Sequence, residues 1–167
     1  MGALYDFLQR NQIERKKALP LVHSTEAYFI RKFMNSGKIA VRKCNVFKKD
    51  KLSYFFVGRP SFKREIGSEA TDWELPVCMI VDYSAVRQKR VFPFDSGAFR
   101  KKLYPKFMNM MPLEEFEVSG DADAAEKIIG TFFGNNKNYF SLKPRKEGDF
   151  FCKIRYRCFG LGSESVA

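Results

Sequence analysis

Apolar residues recur along this chain with two periods. From Ala3 to Lys17, Leu4, Phe7, Leu8 and Ile13 form a stripe, while Arg10, Arg15, Lys16 and Lys17 face water, which predicts a helix ended by Pro20. Pro20-Leu21-Val22-His23 is a short, extended, mostly apolar run and predicts a strand. Ser24-Thr25-Glu26 then predicts a helix start, with a hydroxyl for the first amides and an acid for the positive end of the dipole. Ala27, Ile30, Arg31, Phe33 and Met34 keep helical rhythm until Asn35-Ser36-Gly37, where Gly37 is a natural C-terminal cap. Ile39 to Val46 alternates loosely, as a strand or an extended loop. Leu52 to Val57 is β-forming and closes at Gly58-Arg59-Pro60. Glu74 to Tyr83 is a second such run; Pro76 puts its start at an edge, and Val77 to Val81 suits burial on both faces. Tyr54 to Val57 and Val77 to Val81 are therefore expected as central, buried strands of one sheet.

The second half repeats the mixture. Phe62 to Asp72 is polar and predicts a loop. Val91 to Gly97 combines aromatics, an acid and a hydroxyl around Pro and Gly, a composition common in loops that line sites. Phe107 to Pro112 is Met-rich and adaptable. Leu113 to Val118 alternates, with Leu113, Glu115 and Glu117 on one face of a short strand. Asp123 and Glu126 fit a capping box opening a helix over Ala124 to Phe133. Asn138 to Phe140 predicts a short strand. Phe151 to Phe159 alternates most clearly: Cys152, Ile154, Tyr156 and Cys158 point one way and Lys153, Arg155 and Arg157 the other. That cationic face is either a solvated surface or a nucleic-acid-binding one. The expected architecture is α+β, one domain over residues 1–160 with a mixed or antiparallel sheet and about three helices, followed by a flexible tail at 161–167.

Composition narrows the partners. The chain has 167 residues, 45% hydrophobic and 16% aromatic, enough for a real core. Its net charge of +11 favours an anionic partner: nucleic acid, a nucleotide, an acidic protein or a membrane surface. The four cysteines form no CxxC pair, and with a single histidine they give a metal site almost no ligands. Reduced thiols and a cytoplasmic location are expected, with Cys78 in the core. The charged opening is unlike a secretory signal, and Asp6 stands where a myristoylation signal following Met1-Gly2 needs Ser or Thr. No apolar run approaches membrane-spanning length.

Phosphate-loop, dinucleotide-fingerprint and nucleophile-elbow motifs are absent. Asp82, Asp95 and Glu117 have no spacing that demands a metal nuclease site. His23 suits two roles. At a strand end beside a helix N-terminus it is placed to hold a phosphate or ribose; it also suits an ordinary boundary position. Tyr54 beside Phe55 and Phe56 suits a core as well as a ring platform, and Glu115 and Glu117 suit a solvated face.

Three segments together are similar to the ADP-ribosyltransferase superfamily. LVHSTEAYFIRKFMNSGKI resembles its opening strand and helix, SYFFVGRP its middle element, and the E-x-E of Glu115 and Glu117 its late acid. The resemblance implies an NAD-dependent transferase of the H-Y-E type, with NAD as substrate. It gives His23 to the nicotinamide ribose, Tyr54 to the nicotinamide ring, Arg59 to the pyrophosphate, and Glu117 to the ribose hydroxyls and the charge that develops as nicotinamide leaves, with Ser24 also among the NAD-binding residues. His23, Tyr54 and Glu117 are the implied catalytic set. The chain departs from the pattern twice: no Gly separates His23 from the hydroxyls, and a long segment follows Glu117. The alternative is a non-catalytic basic module that binds nucleic acid or an acidic protein.

Overall fold

A computed structural model describes residues 2–11, 18–60, 69, 71–119 and 123–145. The fold is α+β. In chain order the helices are α1 (Ala3–Arg10), α2 (Ala27–Ser36), α3 (Ser96–Arg100), α4 (Ala124–Phe133) and α5 (Asn136–Phe140). The strands are β1 (Leu21–Glu26), β2 (Arg42–Lys43), β3 (Lys51–Leu52), β4 (Phe56–Val57), β5 (Pro76–Val81), β6 (Arg90–Val91) and β7 (Val118–Ser119), and every pairing among them is antiparallel. The chain divides into two compact units, Pro20–Tyr83 and Met1–Leu19 with Ser84–Ala167.

The unit Pro20–Tyr83 is built on a sheet ordered β4-β1-β5. The central strand is β1, where β4 and β5 were expected to be central. β1 pairs with β5 along its whole length, from Leu21 opposite Val81 to Glu26 opposite Pro76. That six-residue ladder overrides the helix-start signal of Ser24-Thr25-Glu26: the strand runs three residues past His23 and α2 begins only at Ala27. The first helical amide, that of Ala27, donates to the Leu75 carbonyl at 2.9 Å. The end of α2 follows expectation, with Gly37 left-handed at φ 64° and its N–H on the Phe33 carbonyl. β5 alternates between exposed and half-buried positions rather than being buried on both faces, so Cys78 is exposed and it is Cys44 that is buried. Leu52 to Val57 is not one strand. β3 pairs with β2, β4 pairs with β1, and residues 53–55 between them leave the ladder.

The other described unit has the larger apolar core. α4 buries Ala124, Ala125, Ile128, Ile129, Gly130, Phe132 and Phe133. Phe7 of α1 stacks on Phe132 with centroids 6.2 Å apart. The loop before α3 is core rather than a site lining: Phe94 packs against Phe99, Tyr104 and Phe116, and Asp95 caps α3 by accepting from the amides of Gly97 and Ala98. Two further expectations are corrected. Leu113–Phe116 is a 3-10 turn opened by Pro112, leaving only Val118–Ser119 as strand. Asn136–Phe140 is helical because the Asn135 side chain caps the Asn138 amide at 2.8 Å. The helix at Ala124–Phe133 is as expected, but the Asp123 carboxylate pairs with Lys127 at 3.2 Å and caps no amide. The strand at Phe151 to Phe159, the tail at 161–167 and most of the 62–72 loop lie outside the described residues.

Candidate functional site

His23 stands in the middle of β1, at the point where pairing with β4 stops. Leu21 and Val22 pair with Val57 and Phe56. At the next position the imidazole takes over: its Nδ1 lies 2.7 Å from the Tyr54 carbonyl oxygen. A carbonyl only accepts, so Nδ1 carries the proton and donates, leaving Nε2 facing away from that bond. The ring also meets Phe55, with centroids 5.3 Å apart and planes tilted by 47°. A side chain thus substitutes for a ladder bond, which explains why the β-forming run at Tyr54 breaks.

Tyr54 is 41% exposed, yet its hydroxyl is engaged. It lies 2.7 Å from Cys44 Sγ, and that sulfur also accepts from the amides of Val46 and Phe47 at 3.3 and 3.0 Å. Tyr54 is thus held at its hydroxyl by a buried thiol and at its carbonyl by the bond to His23. Nothing in the sequence pattern marks Cys44 as this anchor.

Ser24 does not share the face of His23. Successive strand residues point to opposite sides, and the Ser24 hydroxyl lies 3.6 Å from Cys78 Sγ, its cross-strand partner on the other face. Thr25 is the hydroxyl on the face of His23, together with Val77 and Met79 from β5. A strand continued through Glu26 would have given this from period-2 alternation alone. Nor does His23 adjoin a helix N-terminus that could hold a phosphate. The α2 N-terminus is three residues further on, with Glu26 at its cap position and its first amide bonded to Leu75. Arg59 is half-buried and follows Gly58, whose φ of 67° turns the chain and whose N–H donates to the Pro20 carbonyl at 2.7 Å.

The late acids belong to the other unit. Glu117 follows the 3-10 turn, and Arg90 Nη1 donates to both of its carboxylate oxygens at 2.8 and 2.6 Å, across the β6–β7 pair. Glu115 accepts from the Ala3 amide at 2.6 Å and so caps α1 from a distant part of the chain. Lys153, Arg155 and Arg157 lie outside the described residues. Among the described residues no helix is long and apolar enough to cross a membrane, and no three His, Cys, Asp or Glu side chains group as metal ligands. No protein-family model, curated protein or solved structure matches the chain.

Proposed function

We propose that the chain binds NAD through the unit Pro20–Tyr83 and transfers its ADP-ribosyl group to a macromolecular acceptor or to water. The observation that carries this reading is the bond from His23 Nδ1 to the Tyr54 carbonyl. It fixes the imidazole by one nitrogen, leaves Nε2 to meet a ribose hydroxyl, and ties it to Tyr54, a partly exposed aromatic residue of the kind that stacks on nicotinamide. In the transfer, the bond between ribose C1′ and the pyridinium nitrogen breaks. Its electron pair leaves with neutral nicotinamide, and an acceptor oxygen or nitrogen bonds to C1′ and releases its proton. Stabilising the positive charge that develops on the ribose is the chemical demand of that step. The net charge of +11 favours a nucleic acid acceptor.

Nicotinamide release from NAD, with and without nucleic acid, tests this directly. His23→Ala should weaken NAD binding about ten-fold, the value of one lost ground-state hydrogen bond. A melting curve of the variant separates loss of binding from loss of fold. Absence of both NAD binding and nicotinamide release with every acceptor overturns the reading.

A second reading, non-catalytic binding of an anionic partner, has its own supporting observation. Glu117 is engaged by Arg90 and Glu115 by the Ala3 amide, so both late acids already have structural work. Nucleic acid binding that is insensitive to His23→Ala favours it.

A further inference from the structure

The segment Arg100 to Met111, RKKLYPKFMNMM, takes no part in the NAD reading. It leaves α3 through a tight C-terminal turn. The Leu103 amide donates to the Ala98 carbonyl at 3.1 Å and the Lys102 amide to the Phe99 carbonyl at 2.9 Å, with Lys102 left-handed at φ 57°. The chain then enters a 3-10 helix over Lys106–Met110 whose Met108 is buried. In a 3-10 helix residues three apart lie one above the other, so Phe107 and Met110 form one ridge. These two are 50% and 84% exposed, Leu103 is 71% exposed, and Met111 adds a further exposed side chain. Arg100, Lys101, Lys102 and Lys106 are exposed beside them. Between Asp95 and Glu114 the sequence has no acidic residue.

We infer that this surface docks on an anionic lipid bilayer. Its charge complements phosphate-rich headgroups, and cations flanking outward apolar side chains are the chemistry of an interfacial anchor. Long Lys and Arg stems let the charges stay at headgroup level while Leu103, Phe107 and Met110 enter the acyl boundary. Single-stranded nucleic acid is the weaker fit, because base stacking uses flat rings and Phe107 is the one exposed ring of the ridge. Tyr104 instead turns inward, with its hydroxyl accepting from the Asp95 amide at 3.2 Å.

The test is co-sedimentation of the full chain with phosphatidylcholine vesicles, with and without phosphatidylserine. Binding is expected to require phosphatidylserine and to weaken with salt. The triple variant Lys101→Ser, Lys102→Ser, Lys106→Ser should lose partitioning on the order of a hundred-fold at low salt. Phe107→Ser with Met110→Ser should lose about ten-fold while keeping the salt dependence. Insertion is read separately: in a Trp73→Phe background, which removes the one native tryptophan, Phe107→Trp should shift its emission to the blue on anionic vesicles. Equal binding to neutral vesicles overturns the inference, as does full anionic binding by the triple variant or an unshifted tryptophan in the bound protein. Displacement from vesicles by an oligonucleotide that itself needs the three lysines assigns the surface to nucleic acid and also overturns it. Circular dichroism on each variant confirms that losses are not losses of fold.

Discussion

The two units hold themselves together by different means. In the described part of the α4 unit, aromatic rings and aliphatic side chains close on one another: Leu8, Phe94, Phe99, Val118, Ile128, Ile129, Phe132, Phe133 and Tyr139 are all buried. Among the described residues of Pro20–Tyr83, only Leu21, Val22, Cys44 and Tyr83 are buried, and α2 buries none. Polar side chains take up the work there: His23 closes the gap beside β4, and Tyr54 leans on a thiol that gathers two amides. Apolar burial is non-directional and scales with area, whereas a hydrogen bond holds particular atoms in a particular geometry. The first region is thus held by buried apolar area and the second by a few directional bonds.

The largest test of this contrast is Phe133→Ala against Val22→Ala. Phe133 is 2% exposed, and emptying such a site costs about 3–5 kcal/mol, transfer and cavity together. Val22 loses only two methyl groups, about 1.6 kcal/mol by transfer. Urea unfolding of both variants measures the difference. Similar losses, or a larger one at Val22, would show that the sheet unit is not the thinner structure.

How far the sequence reached follows the same division. The helix Ala124–Phe133 was legible because its periodicity agrees with burial, even though Asp123 caps nothing and pairs with Lys127. The capping box that does form, at Thr71 and Glu74, gave no periodic signal around it. The strand at His23 was seen, but not its length, because pairing with β5 decides where it ends. Nor was the break at Tyr54, which depends on an imidazole 31 residues away in sequence. The bond from His23 reaches the Tyr54 backbone carbonyl, a contact that the identity of neither side chain specifies. The Cys44 anchor and the opposite facing of Ser24 arise from register and tertiary contact, which local propensity does not encode.

A second test probes how α1 joins its unit. Gly2 meets the 3-10 turn so closely that a Cβ there would lie 2.8 Å from the Glu115 carbonyl oxygen and closer still to that of Glu114. Both obstacles are backbone and neither can swing aside. Gly2→Ala should therefore push α1 outward, straining the bond from the Ala3 amide to Glu115, and cost about 1–3 kcal/mol as overpacking does. The glycine at the start of the chain thus has a packing reason, independent of any lipid modification. A melting temperature unchanged by Gly2→Ala would break this account.

The smallest expected effect is the one that bears most closely on the sheet unit. Tyr54→Phe keeps the ring and removes only the hydroxyl that lies 2.7 Å from Cys44 Sγ. Cys44 is 3% exposed, so water cannot readily replace the lost partner, and the cost should be about 1 kcal/mol. In an apolar core such a loss would be spread over many contacts. Here it falls on a sulfur that holds the amides of Val46 and Phe47, so the loosening should be local. Hydrogen exchange at those two amides should quicken about five- to ten-fold, the kinetic equivalent of that energy, while exchange in α4 stays as it was. On the proposed reading the ring remains available to nicotinamide, so any NAD affinity should fall far less than in His23→Ala. Equal acceleration across both units would mean that they share one cooperative structure and that the polar anchoring of Tyr54 is not local. No acceleration at Val46 and Phe47 would mean that the thiol cluster contributes nothing and that the sheet unit rests on its few apolar contacts alone.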